Sequence, residues 1–178
     1  MTSSSNILVV TPDAATPQRG TLTYAGRTLP CVLGRTGIAK QKVEGDGATP
    51  VGRFPLRRVL YRADKHTSPC TVLPISAIAR DEGWCDDPAD ANYNRPITLP
   101  YNASAETMWR DDDLYDLVVV IGHNDDPVVT KAGSAIFMHI APPAGAPTAG
   151  CVALARDDLV WLLSALEPGA VIEIRDQA

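Results

Sequence analysis

The sequence predicts a mostly β fold with short helices, and three observations carry that expectation. Short apolar runs recur along the chain, 15 prolines and 13 glycines separate them, and one stretch alone combines a long helical stripe with clear end signals. In chain order the strand-like runs are ILVV at 7–10, CVLG at 31–34, RFPLRRVLY at 53–61, TVLPISAIA at 71–79, LVVVIG at 117–122, SAIFMHI at 134–140 and VIEIR at 171–175. The region 81–116 has a different texture, rich in Asp, Asn, Trp and Tyr, and reads as a long ordered loop/helix insertion. Ser104 as N-cap with Glu106 in the first turn predicts a short helix there. A second helix is expected over 156–166, where Leu159, Leu162, Leu163 and Leu166 make one stripe. Asp157 and Asp158 suit its start, and Pro168-Gly169 ends it.

At 178 residues and 19.0 kDa, the chain is expected to form one domain over 1–178. A formal charge of -5 argues against nucleic acid or an anionic membrane as partner. An anionic ligand would need a local arginine cluster. The N-terminus has no basic region and its apolar run, NILVV, is short. The expectation is a cytoplasmic chain, or a periplasmic one if a leader has been removed. Cys31, Cys70, Cys85 and Cys151 form no CxxC pair, so free thiols are expected.

The stretch SAIFMHIAPPAGAPTAGCVAL, 134–154, holds the most chemistry. Cys151 could be a small buried hydrophobe. Gly150 before it permits close backbone approach, and the helix beginning a few residues later is expected to favour a thiolate of lowered pKa. His139 ends the neighbouring apolar run, where it could take the thiol proton or simply cap a strand. His123, in IGHNDDP, is its rival, and its acidic neighbours are expected to raise its pKa. A zinc site from His123, Asp125 and His139 is the alternative chemistry. His66 sits in a polar loop and reads as surface. The stretch EGDGATPVGRF, 44–54, predicts a tight rigid loop; it lacks a Walker lysine and GxGxxG spacing, so phosphate binding is unsupported.

Taken together, TPVGRF and SAIFMH…TAGCVAL resemble the TPxGxF signature and active-site motif of the L,D-transpeptidase (YkuD-like) catalytic domain family, over about 30–175. The resemblance implies a β-sandwich-like catalytic core and a cysteine that attacks the carbonyl of an L,D peptide bond in peptidoglycan stems. It implies Cys151 as nucleophile, His139 as base, and the backbone about Gly150 and Cys151 as part of the oxyanion hole. This chain departs from the common Ser-His-Gly-Cys-x-Arg form. Thr148 and Ala149 stand at the first two positions and Ala153 at the arginine, and the interval from His139 to Cys151 is shorter than usual. A substrate-carboxylate ligand is therefore sought among Arg80, Arg95 and Arg110. Thr148, Ala149 and His123 are further substrate-binding candidates, His123 standing in for the missing histidine.

The function implied is acyl transfer with release of terminal D-alanine from tetrapeptide stems or muropeptides, without metal or organic cofactor. The sequence reading leans to an L,D-carboxypeptidase of peptidoglycan recycling, with crosslinking or D-amino-acid exchange as the alternative. A zinc peptidase and a non-catalytic peptidoglycan-binding domain are the readings from other classes.

Overall fold

The computed structural model describes residues 6–176. Its strands are β1 Ile7–Pro12, β2 Arg19–Tyr24, β3 Arg27–Val32, β4 Ile38–Ala39, β5 Thr49–Pro50, β6 Gly52–Tyr61 and β7 Ile75–Ala77. There follow β8 Glu82–Cys85, β9 Pro96–Thr98, β10 Ala105–Thr107, β11 Leu117–Ile121, β12 Phe137–Ile140, β13 Val152–Leu154 and β14 Val171–Ile174. One α-helix, α1, spans Arg156–Ala165, and a single 3-10 turn covers Pro143–Gly145.

Nine strands form the main sheet in the order β11-β12-β13-β3-β2-β1-β14-β6-β7. Because β11 also pairs with β6, eight of them close into a ring, with β7 added outside β6. Closure leaves β7 as the short free edge of this sheet. Alternation along β11 and β12 then divides two apolar clusters. Val119, Met138 and Ile140 join the main core, where α1 buries Leu159, Leu162 and Leu163. Val118, Val120 and Phe137 face the other way, into a second cluster with Trp84, Met108, Tyr115 and Cys151. That outer face is roofed by the 81–116 insertion.

The insertion is ordered, as its aromatics predict, but it is built from strands. The antiparallel sheet β10-β8-β9 occupies it, and the helix expected after Ser104 is absent there. Glu106 pairs with Trp84 across β10 and β8, and the Ser104 carbonyl accepts the Asp86 N–H. A single helical turn gains too few hydrogen bonds to nucleate, so the ladder to β8 wins. The strand expected over 71–79 is confined to β7, since Pro74 interrupts it and its carbonyl accepts the Val59 N–H.

Residues 44–54 form the predicted tight loop. Asp46 accepts the N–H groups of Val43 and Ala48, and Thr49 Oγ1 accepts the Gly34 N–H at 2.9 Å. This loop matters because the Ala48 carbonyl lies against Gly150.

Candidate active site

Strand β12 aims His139 and Phe137 at the insertion, and β13 runs parallel to it, with His139 opposite Ala153. Cys151, one residue before β13, therefore stands beside Phe137; His139 lies two residues, about 6.6 Å, farther along the same face of β12. Thr148 ties the approach to Cys151. Its Oγ1 donates to the Cys151 carbonyl at 2.7 Å and accepts the Gly150 N–H at 3.1 Å. Gly150 adopts φ 139°, and a Cβ there would lie 2.8 Å from the Ala48 carbonyl oxygen. Only glycine fits that turn without displacing the 44–54 loop.

Cys151 and His139 line one cavity of about 380 Å³. The thiol, 6% exposed, accepts the Phe137 N–H and donates to the Ala135 carbonyl, each at 3.4 Å. Burial pushes it up to about 12; the Glu106 charge adds to this, while the Phe137 N–H and Lys42 oppose it. The lowered pKa expected from α1 is not found. Across strand β13 and Ala155 the helix start at Arg156 lies five residues on from Cys151, about 16 Å of extended chain, too far for the dipole to act.

His139 Nδ1 lies 2.8 Å from the Ile140 carbonyl. A carbonyl only accepts, so Nδ1 carries the proton and Nε2 presents a lone pair. The Tyr115 ring packs edgewise on the imidazole at 5.2 Å. Burial pushes His139 down to about 4 despite the opposing bond to Ile140. Among the described residues no hydrogen bond joins Nε2 to Sγ. Both shifts disfavour the charged forms, so the resting pair is neutral.

Charged side chains surround this pair. Lys42 is held by Asp46, and Arg110 by a bidentate bond to Asp112 at 2.9 and 2.6 Å. Arg35 donates to the Gly45 carbonyl at 3.2 Å and, among the described residues, holds no carboxylate. Three carboxylates, Glu44, Asp86 and Glu106, also line the cavity. The Glu106 carboxyl accepts the Tyr115 hydroxyl at 2.8 Å.

The predicted site residues divide. Cys151, His139, Arg110, Thr148 and Ala149 share the cavity, and Gly150 supports it from behind. Arg80 does not reach it: its guanidinium stacks 4.6 Å above the Trp109 ring. Arg95 and His123 line a separate cavity of about 220 Å³. His123 Nε2 bonds the Ala132 carbonyl at 2.9 Å, and its ring abuts Phe54 edge-on, so it does not replace the missing histidine. Burial lowers its pKa, reversing the expectation from its acidic neighbours. Asp125 is engaged by Arg57, and among the described residues no three His, Cys, Asp or Glu side chains converge as metal ligands. The structure therefore does not assemble the zinc alternative. His66 is not a bare surface residue; it contacts buried Asp116 at 2.9 Å and Arg156 at 2.7 Å.

Sequence reasoning missed Arg35, Lys42, Asp86 and Tyr115 as cavity residues. It also missed Asn94, whose Oδ1 accepts from Trp84 Nε1 and the Ala135 N–H and so fixes the backbone around the thiol. Glu44 had one signal, its place at the head of EGDGATPVGRF.

Comparison with solved structures finds L,D-transpeptidase 1 of Mycobacterium tuberculosis at 16% identity and TM-score 0.42, covering 95% of this chain and 59% of that one. L,D-transpeptidase 3 of the same organism, in complex with a faropenem-derived adduct, is 14% identical with TM-score 0.43, covering 95% and 60%. The chain thus spans less than two thirds of the length of these proteins. Comparison with curated proteins returns no match. The sequence model of the L,D-transpeptidase catalytic domain, YkuD, matches residues 6–174. That match takes in the closed sheet, the insertion and the cavity, and this chain belongs to the L,D-transpeptidase catalytic domain family.

Proposed function

We propose that this protein is a cysteine acyl-transfer enzyme that removes the terminal D-alanine from peptidoglycan tetrapeptide stems, with water as the acceptor. The observation that carries the reading is the shared cavity of Cys151 and His139, with Nε2 as the unprotonated ring nitrogen. In the proposed reaction Sγ bonds to the carbonyl carbon of the third stem residue while its proton passes to Nε2. The C–N bond then breaks, and His139 returns the proton to the departing amine of D-alanine. Water attacks the thioester, the C–S bond breaks, and the thiol regains its proton.

The N–H groups of Gly150 and Cys151 are the proposed oxyanion donors; one such donor is typically worth about 2.7–4 kcal/mol. At 3.1 Å the Gly150 bond to Thr148 is long enough for an oxyanion to compete with it. With Arg110 held by Asp112, Arg35 is the proposed ligand for the terminal carboxylate. A cavity of about 380 Å³ falls within the range of small-ligand pockets and can take one stem terminus.

The test is mass spectrometry of a disaccharide-tetrapeptide incubated with the protein, with and without an added D-amino acid. Loss of alanine mass in buffer alone is expected, abolished in Cys151→Ala and lowered by orders of magnitude in His139→Ala. Replacement of D-alanine by the added amino acid without net hydrolysis would assign exchange instead. Full turnover by Cys151→Ala, or its loss to a chelator, would sink the cysteine mechanism.

A further inference from the structure

The cavity of about 220 Å³ that holds Arg95 and His123 carries an excess of positive charge, in a chain whose net charge is -5. Three guanidinium groups, from Arg57, Arg58 and Arg95, line it against one carboxylate, Asp125. Arg57 takes that carboxylate in a bidentate bond at 2.8 and 3.0 Å, and the charge of Asp126 acts on the same arginine. Burial keeps His123 neutral at pH 7, so it adds no charge. Two positive charges remain. Among the described residues, the side chains of Arg58 and Arg95 hold no carboxylate and make no hydrogen bond. Arg58 leans over the Trp84 ring at 6.0 Å.

The strand register shows how this cavity is built. Arg58 stands opposite Val120 across β6 and β11, and Val120 stands opposite Phe137 across β11 and β12. Cys151 comes next in the row, one residue before Val152, the partner of Met138. Arg58 and the thiol are therefore three strand spacings apart on one face of the sheet, about 14 Å. Phe137 stands between them, with the Trp84 ring edge-on at 5.1 Å. Ile136 lines both cavities, yet that aromatic pair keeps them apart.

The wall opposite the sheet is fixed in place. Asn94 accepts Trp84 Nε1 at 3.0 Å and donates to the His123 and Asn124 carbonyls at 3.0 and 2.7 Å. Arg95 follows directly, its backbone carbonyl accepting the Cys85 N–H at 2.9 Å while its side chain stays free. Donors carried on a rigid backbone lose little freedom when a ligand arrives. Guanidinium forks match the oxygens of phosphate and carboxylate groups. Two unmatched charges favour the phosphate of a monoester, a dianion near neutral pH, over a single carboxylate. The volume lies below that of usual ligand pockets, which suits a phosphate group with a small substituent.

We infer that Arg58 and Arg95 form a site for a dianionic phosphate group, free or as the monoester of a small molecule, between β6 and the insertion. Arg57 and Asp125 form its rim as a neutral pair. The site is independent of the acyl-transfer reading above and stands or falls without it.

The test is an amide NMR titration of the full chain with inorganic phosphate, ribose 5-phosphate and acetate, as sodium salts at fixed ionic strength. Saturable shifts centred on Trp84, Asn94 and Arg95 are expected, with a Kd on the order of 1 mM for the phosphates and at least about tenfold weaker binding of acetate. Arg58→Gln and Arg95→Gln should each weaken phosphate binding about 10- to 100-fold, the range for a hydrogen bond to a charged group. Neither should lower the melting temperature of the unliganded protein, since neither side chain leaves a partner behind. Asp125→Asn gives the cavity a third unmatched charge and should tighten phosphate binding. Tighter binding of ribose 5-phosphate than of inorganic phosphate would support the site and make its ligand a phosphorylated small molecule; the reverse order would support it as a site for the free anion. Shifts that do not saturate or that centre elsewhere would overturn the inference. So would acetate binding as tight as phosphate, unaltered binding in both arginine variants, or looser binding in Asp125→Asn.

Discussion

Cys151, the proposed nucleophile, should be a slow thiol in the absence of substrate. The perturbation is alkylation of the native protein with iodoacetamide across a pH series. Cys151 is buried and pushed up from 9.0 to about 12, so at neutral pH it holds about a thousandfold less thiolate than an ordinary cysteine. A more basic thiolate is also a better nucleophile; a Brønsted slope of about 0.4–0.5 returns roughly 15- to 30-fold. The net expectation is labelling about 30- to 60-fold slower than a free thiol, before any steric shielding at 6% exposure. Cys70 is exposed and should label first; Cys31, buried and also pushed up to about 12, should lag with Cys151.

Peptide mapping of time courses gives the individual rates. The Cys151 rate should rise about tenfold per pH unit through pH 10 without a plateau. Glu106→Gln keeps an acceptor for Tyr115 and deletes a charge that holds the thiol protonated, so it should speed Cys151 labelling. Labelling of Cys151 ahead of Cys70 at neutral pH, or a plateau below pH 9, would refute the reasoning and restore the activated thiolate expected from the sequence.

Two further outcomes concern stability. His139 is pushed from 6.5 to about 4 in the folded chain. As pH falls from 6.5 towards 4 the unfolded chain takes up a proton that the folded chain refuses, so stability present above pH 6.5 is lost over that window. The loss amounts to about 3 kcal/mol. Urea unfolding of His139→Gln should show a shallower acid slope; some slope remains because buried His123 is lowered too. An unchanged slope would show that His139 is not desolvated. Gly150→Ala puts a Cβ 2.8 Å from a backbone oxygen at φ 139°, which should cost about 3 kcal/mol and lower Tm by roughly 6–12 °C. An unaltered Tm would mean that the 44–54 loop yields freely.

Legibility in the sequence followed the range of the interactions. Strand β11 was readable from its unbroken apolar run, buried at every position, and helix α1 from the spacing of its leucines. Leu159, Leu162 and Leu163 point to the core wherever the helix docks. Strand β13 was not, since Val152-Ala153-Leu154 is too short for a period to show and exists as a strand only between β12 and β3. The Ser104–Glu106 signal was misread for a related reason. Its local pattern fits a helix start, and pairing with β8, about twenty residues earlier, decides otherwise. At the site, Cys151 and His139 stand in one motif and were found together. Arg35, Asp86 and Tyr115 reach the same cavity from three separate elements, and nothing in their local sequence marks that meeting.

These features combine into one physical account of why the site can rest without reacting. The thiol is neutral because it is buried and faces Glu106; the imidazole is neutral because it is buried and its one proton is committed to Ile140. Neither shift needs the other residue: the thiol's comes from burial with Glu106 adding to it, and the imidazole's from burial against the opposing bond to Ile140. Negative charge developing at the sulfur, and then on a substrate oxygen, would therefore have to be met by donors already in place, and the backbone N–H groups of Gly150 and Cys151 are the ones proposed for that task.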